Sequence, residues 1–423
     1  MKTTVLVSGC EICALICTLV FIGVLISMPC KAQSMLSLQE SVSKALESRA
    51  SLKAEAERIS AAQGLEKQSA LIPNPTFQFE NQNLRPGQTY TRDVDTYAYL
   101  IQPLDVLGKR KQRIAVAGKE VNTSEAQYEL ARRQIAQSVK QSYWAARGAQ
   151  EIRDLLKDTV DNFQRIVDYH SAQLSVGAIS EQDFLRIRLE SERLKISSNL
   201  AAIEATRARV QLQKEMGQMD FPELVLTEPL DANQTPLTPV DAQQVLAQRV
   251  EMRLARAALE EAQAKARLEA VSARPDLNVL YGYKRTQLVD STTGINTALA
   301  GLQITLPISD RNQGNRAAAT AEVSRQQQLL AAAQSSVLAD YYGALQGYQL
   351  RRNEVVENLQ PLREHATEIS EIAQDAYTQG GTDLLRLLDA ERARLDAQLA
   401  YVQGMVEYQQ SIVDLQVAEG VAP

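Results

Sequence analysis

The sequence predicts a mainly α-helical protein built from two long antiparallel helical hairpins, each preceded by a pair of β-strands. Three observations predict it. The stretch from Leu104 to Phe221 contains no proline, keeps its apolar residues at helical spacing and breaks once, at Val176-Gly177-Ala178. The same order of features returns about two hundred residues later. Leu46 aligns with Leu246, Arg49 with Arg249, Lys53 with Arg253, Ala62 with Ala262 and Pro75 with Pro275, and an internal repeat constrains the fold before any element is assigned. After Pro75, and again after Pro275, the apolar period switches from helical to two, which is the period of a strand.

Residues 1–32 read as a secretory signal. An apolar run from Ile12 to Met28 is preceded by Lys2 and followed by Cys30-Lys31-Ala32, with cleavage expected after Ala32. All four cysteines, Cys10, Cys13, Cys17 and Cys30, lie inside this segment. Cys10-Glu-Ile-Cys13 has the spacing of a redox or metal pair, but its apolar setting makes it part of the signal. Met28-Pro29 is a poor match to a lipid-attachment motif at Cys30. The residues after the signal carry no cysteine, so neither disulfides nor thiolate ligands are expected there.

The first repeat is placed at 33–222. Leu38, Val42, Leu46, Leu52, Ile59 and Leu65 mark a helical segment over about 36–72. Strands are expected over about 76–84, where Phe77 and Phe79 alternate with Gln78 and Glu80, and over about 94–103, where Tyr97, Tyr99 and Ile101 alternate up to Pro103. A helical hairpin then fills about 108–216. Its first arm, Lys109 to Ser175, would be roughly 100 Å long at the rise of an α-helix. Leu156, Phe163 and His170 recur every seven residues, as do Ile152, Thr159 and Ile166, which is the seam of a left-handed supercoil. Charges every few residues make the arm too polar to span lipid. The return arm carries Ser198, Ala201, Ala205 and Ala208, small enough for close helix packing.

A linker over 223–239, rich in Pro, Asp and Thr, holds one short expected strand at Leu224–Leu226. The second repeat, 240–423, repeats the plan: a helical segment to about 273, strands over about 276–285 and 295–307, and a hairpin over about 314–418, whose first arm Pro361 is expected to kink. No stretch after the signal approaches eighteen apolar residues, so any membrane entry would be by β-strands. Runs of about ten residues with one apolar face and aromatic ends suit outer-membrane barrel strands. Even small barrels need about eight strands, so four per chain require several chains. The competing reading is a secreted periplasmic coiled-coil or adaptor protein whose hairpins pack on its own helices.

Composition excludes other classes. The formal net charge is −6, aromatics make up 5% and charged residues 23%, which fits long helices and lacks the basic balance of a nucleic-acid binder. There is no phosphate-cradling glycine loop and no nucleophile motif, so neither enzyme nor cofactor is expected. His170 and His365 are the only histidines. His170 sits in the apolar heptad and is expected to serve helix packing rather than metal binding, and no His/Cys/Met cluster has ligand spacing.

With its prolines in these places, the chain resembles the TolC family of outer-membrane efflux ducts over essentially all of its length after the signal. Ile72-Pro73-Asn74-Pro75 opens the first strand; Gln102-Pro103-Leu104 with Gly108-Lys109-Arg110 closes the second. Arg274-Pro275-Asp276 and Leu306-Pro307-Ile308-Ser309-Asp310-Arg311-Asn312-Gln313-Gly314-Asn315 are the counterparts in the second half, and these closing signatures look most like the heavy-metal, cobalt-zinc-cadmium branch. The resemblance implies a homotrimer with a twelve-stranded β-barrel in outer-membrane lipid and a long periplasmic α-helical barrel. It also implies a passive exit duct that docks a periplasmic adaptor protein and an inner-membrane resistance-nodulation-division pump. A drug-efflux or protein-secretion duct is the alternative within the family.

The same resemblance points to the hairpin tips as a gate. Aligning the turns on Gly177 and on Gly380-Gly381 brings Asp183, Tyr377 and Asp389 onto family positions. Asp183 and Tyr377 would hold neighbouring helices together when closed, and Asp389 would face the lumen, where three copies make an acidic ring that concentrates cations. Two positions depart: the family's other lumen-facing aspartate falls at Arg386, with Asp383 one turn earlier, and the arginine that completes the closed-state link falls at Thr382. The alternative is that Asp183, Arg386 and Asp389 are solvated charges near helix starts, where acids are favoured anyway.

Overall fold

The computed structural model describes residues 34–87, 94–231, 236–287 and 294–421. The expected signal segment and all four cysteines lie outside the described residues. A short strand β1 (Ser34–Leu36) leads into helices α1 (Leu38–Ser48) and α2 (Ala50–Ser69), strands β2 (Thr76–Gln82) and β3 (Asp95–Leu104), and the hairpin α3 (Lys109–Ser175) and α4 (Glu181–Glu215). Strand β4 (Leu224–Leu226) opens the second half, followed by α5 (Ala242–Gln248), α6 (Val250–Ser272), β5 (Asp276–Thr286) and β6 (Ile295–Thr305). The second hairpin comprises α7 (Gln313–Asn353), a π-helical turn (Glu354–Leu359), α8 (Gln360–Thr378) and α9 (Leu384–Glu419). Among the described residues no helix is long and apolar enough to cross a membrane.

Each helical segment ahead of a strand pair is two helices rather than the one that periodicity predicts. The break falls on one extended arginine in both repeats: Arg49 at φ −66°, ψ 117° and Arg249 at φ −68°, ψ 130°. Each arginine reaches across to an end of the same repeat's return helix. Arg49 Nη1 donates to the Glu215 carbonyl at 2.8 Å, and Arg249 Nη1 donates to the Val417 carbonyl at 2.9 Å. The last carbonyls of a helix have no partner within it, and the arginines supply one. A single extended residue barely disturbs an apolar stripe, so this break left little trace in the periodicity. Pro361 is accommodated in the first turn of α8, directly after the π-helical turn. Proline lacks an N–H and its ring collides with the carbonyl one turn back; a wider turn is one way a helix absorbs that defect.

Two apolar cores form, each drawn mainly from one repeat. The first gathers Val42, Leu52, Val139, Tyr143, Leu212 and Met216; the second gathers Met252, Tyr341, Tyr348, Met405, Tyr408 and Leu415. β1 pairs in parallel with β4 across the first core, where the Tyr143 hydroxyl donates to the Leu36 carbonyl at 3.0 Å. A third cluster, Leu156, Phe163, Ile187, Leu194, Ala201 and Leu395, runs up the hairpins toward their tips. Leu156 and Phe163 come from the heptad seam read from the sequence, and α9 joins through Leu395, with Leu384, Leu388 and Leu399 packed against the cluster.

The four long strands form one antiparallel sheet in the order β2-β3-β5-β6. Directly opposed residues share a face, so the register sorts the side chains. Phe77 opposes Leu100, which opposes Tyr281, which opposes Ala300; Phe79, Ala98, Tyr283 and Ala298 form the next row. Val279 with Leu302 and Leu277 with Ile304 extend that face. The other face carries Gln78, Glu80, Tyr97, Tyr99 and Lys284. The apolar face is uncovered within the chain: Phe77, Phe79, Tyr281 and Leu302 are all about half exposed or more.

Candidate functional site: the hairpin tips

The two tips are built alike. Gly177 at φ +73° and Gly380 at φ +75° take the left-handed conformation that ends a helix at low cost. Behind each, two N–H groups turn back onto the helix end. Gly177 and Ala178 donate to the Leu174 and Gln173 carbonyls, and Gly380 and Gly381 donate to those of Tyr377 and Ala376. The next helix starts on a side-chain cap in both cases. Ser180 Oγ accepts from the Asp183 N–H at 3.1 Å, and the Asp383 carboxylate accepts from the Arg386 N–H at 2.9 Å. Asp183 and Arg386 are therefore equivalent positions in the two repeats, three residues after their caps. Asp383, one turn before Arg386, serves as the cap of α9.

The side chains expected to meet do not bond. The Asp183 carboxylate accepts from Ser180 Oγ at 2.7 Å, and it is near enough to Tyr377 for its charge to favour the neutral phenol. The phenol is pushed up mainly by burial, with Tyr169 and Asp183 adding to it. Tyr377 instead bonds His170: His170 Nε2 and the Tyr377 hydroxyl are 2.7 Å apart, and His170 Nδ1 lies 2.8 Å from the Ile166 carbonyl. His170 is only 2% exposed. It packs, as its heptad position predicts, but it also carries a bond between the two hairpins that packing arguments do not anticipate. A sequence signal did exist: His170 and Tyr377 precede their tip glycines by two turns and one turn, which brings both rings near the tip level.

A cavity of about 430 Å³ opens between the hairpins at this level, lined among others by Phe163, Tyr169, Gln374, Leu387, Glu391 and Arg394. A second bond crosses between the hairpins farther from the tip, where Arg392 Nη2 donates to Glu190 Oε2 at 2.7 Å. Arg386 and Asp389 are both exposed and make no side-chain hydrogen bond or ion pair among the described residues. Along α9 the charges alternate as Arg386, Asp389, Arg392 and Asp396, at spacings that keep them near one helix face. The Asp389 and Asp396 carboxylates, after Glu190, hold the Arg392 guanidinium above its usual range. No group of three or more His, Cys, Asp or Glu among the described residues is arranged to hold a metal ion.

Comparison with known proteins agrees with this architecture. The sequence model of the outer membrane efflux protein family matches residues 41–218 and 242–421, one block per repeat. The chain is 26% identical over 375 residues to the cobalt-zinc-cadmium resistance protein CzcC of Cupriavidus metallidurans, covering 88% of this chain and 87% of that protein. It superposes on the Campylobacter jejuni CmeC outer membrane channel with a TM-score of 0.74 at 20% identity, over 90% of this chain and 85% of that one. The open state of the Neisseria gonorrhoeae MtrE outer membrane channel gives the same TM-score at 22% identity, over 90% and 88%. The chain belongs to the outer membrane efflux protein family: it is an outer-membrane exit duct whose helices extend into the periplasm.

Proposed function

We propose that three copies of the chain form the exit duct of a tripartite pump for heavy-metal cations, with a periplasmic adaptor and an energised resistance-nodulation-division pump as partners. The observation that carries the trimer is the sheet. One face is largely apolar, the other mixes Gln78, Glu80 and Lys284 with Tyr97, Tyr99, Ile101, Leu280 and Leu299, and its outer strands β2 and β6 each leave one edge unpaired within the chain. Exposed edges with an uncovered apolar face are unstable in water. Three copies joined β6 to β2 would close twelve strands, turn the apolar face to lipid and leave no edge. Leu185, Leu189, Ile196, Leu200 and Ile203 along α4, and Leu362, Ile369 and Ile372 along α8, are exposed at heptad-like spacings. They give each hairpin an apolar seam for a neighbouring copy.

The heavy-metal substrate class is supported by the likeness to the cobalt-zinc-cadmium resistance protein and by the closing signatures of the strand pairs. Three chains would stack an arginine ring at Arg386 on an acidic ring at Asp389. The tip then acts as an electrostatic gate rather than a uniformly acidic funnel, with Asp183 and Tyr377 among the residues that hold it closed. Two measurements test the reading. In planar bilayers the purified protein should give small, mostly closed, cation-preferring openings. A strain lacking the chain should lose tolerance to cobalt, zinc or cadmium and regain it on complementation. A protein that needs no detergent and never conducts would overturn the duct. Unchanged metal tolerance with lost drug tolerance would overturn the substrate class.

A further inference from the structure

We propose that His170 is a positioning residue of the closed tip: its ring holds the Tyr377 hydroxyl and so ties the first hairpin to the second. This rests on reading the tip as a gate. The Ile166 carbonyl can only accept, so His170 Nδ1 carries a proton, and in the neutral ring Nε2 presents a lone pair to the Tyr377 O–H. Burial favours the protonated phenol, which keeps that donor in place. The helical carbonyl one turn back fixes the ring's tautomer and rotation together, as a second partner does for a metal-bound histidine.

The bond spans a gap. α3 packs along α4, and α8 packs along α9, while the cavity lies between α3 on one side and α8 and α9 on the other. At this level little apolar contact draws α8 toward α3, so a side-chain bridge has leverage that it would lack inside a packed core. Asp183, on the same tip, accepts from Ser180 Oγ and makes no bond to Tyr377 within the chain, and the hydroxyl of Tyr377 is bonded to His170. Separating the hairpins requires this bond to break, with the loss of an acceptor for a partly buried hydroxyl.

The test uses the full-length protein in planar bilayers with H170F, H170Q, Y377F and the H170F/Y377F double variant. Phenylalanine keeps the ring volume and removes the acceptor, and Y377F removes a single oxygen. Each should raise the open-to-closed ratio about fivefold per copy, the size of one net hydrogen bond. The double variant should open no more than either single variant, because both remove the same bond. H170Q offers an amide oxygen to the hydroxyl and should recover most of the closure, whereas a purely space-filling role would favour H170F over H170Q. A double variant whose effect is the product of the two single effects, or Y377F closing like the parent, overturns the latch while the duct stands. If H170F fails to assemble, Y377F with H170Q decides alone. A parent protein that never conducts removes the duct reading and the latch with it.

Discussion

Glu190 on α4 accepts a hydrogen bond from Arg392 on α9 at 2.7 Å, and its side chain is only 16% exposed although its partner's is 47%. The bond joins the return arms of the two hairpins, as the His170–Tyr377 bond joins their first arms. The pair is open on one side, so its contribution is on the order of 1 kcal/mol or less and sensitive to salt. E190Q should therefore raise the open-to-closed ratio about two- to fivefold in 0.1 M salt. In 1 M salt, where the Debye length shrinks to about 3 Å, parent and variant should converge. Equal channel statistics at low salt would show that the pair plays no part in closure.

The paired arginines that end α1 and α5 predict unequal losses. Arg249 is buried, donates to the Val417 carbonyl and contacts Glu251 and Asp340. R249M removes one of the two donors to the Val417 carbonyl, which keeps the Gly420 N–H, strips Glu251 and Asp340 of their cation, and should cost about 2 kcal/mol. Arg49 is more exposed, and its carboxylate partner Glu215 keeps a second donor in Gln211 at 2.8 Å. R49M should cost about 1 kcal/mol. Thermal melts of the two variants in the same detergent check the order, and an R49M loss larger than that of R249M would contradict it.

Gly282 lies where the two repeats meet in the sheet, opposite Tyr99. A Cβ there would strike the Ala98 carbonyl and the Tyr99 Cα, both backbone, so nothing flexible can yield. G282A should split β3 from β5, and with them the sheet. The expected outcome is loss of the detergent-resistant oligomer on gels while far-ultraviolet circular dichroism keeps its helical signal. G301A is the control, because a Cβ at Gly301 meets only the Leu280 Cβ at 3.8 Å.

The long helices were legible because they obey one period over a great length. The Leu156–Phe163–His170 heptad appears in the structure as part of a buried seam. The strand pairs were legible because proline and a change of period mark their starts. What stayed hidden depends on contacts between distant residues. The pairing of β1 with β4 joins Ser34–Leu36 to Leu224–Leu226, and only the second of these short strands was foreseen. The extended arginines leave the apolar stripe intact, so each pair of helices read as one. His170 and Tyr377 are 207 residues apart. No periodicity links them, and a histidine at a heptad position reads as packing until its partner is seen.

Glu419, at the end of α9, predicts the pH dependence of stability. It is 6% exposed, one of its carboxylate oxygens has no hydrogen-bond partner among the described residues, and burial pushes its carboxyl above the ordinary value of 4.5. A group whose folded value is raised favours the folded state when protonated. Its contribution is fully present below the unfolded value and is lost as pH rises through the folded one. At pH 7 the ionised carboxylate is therefore a liability, and E419Q should raise the melting temperature by a few degrees. As pH falls below about 4.5 the parent becomes protonated in both states, and the advantage of E419Q should shrink toward zero. A constant difference from pH 4 to pH 7 would mean that the substitution acts through packing and not through the buried charge.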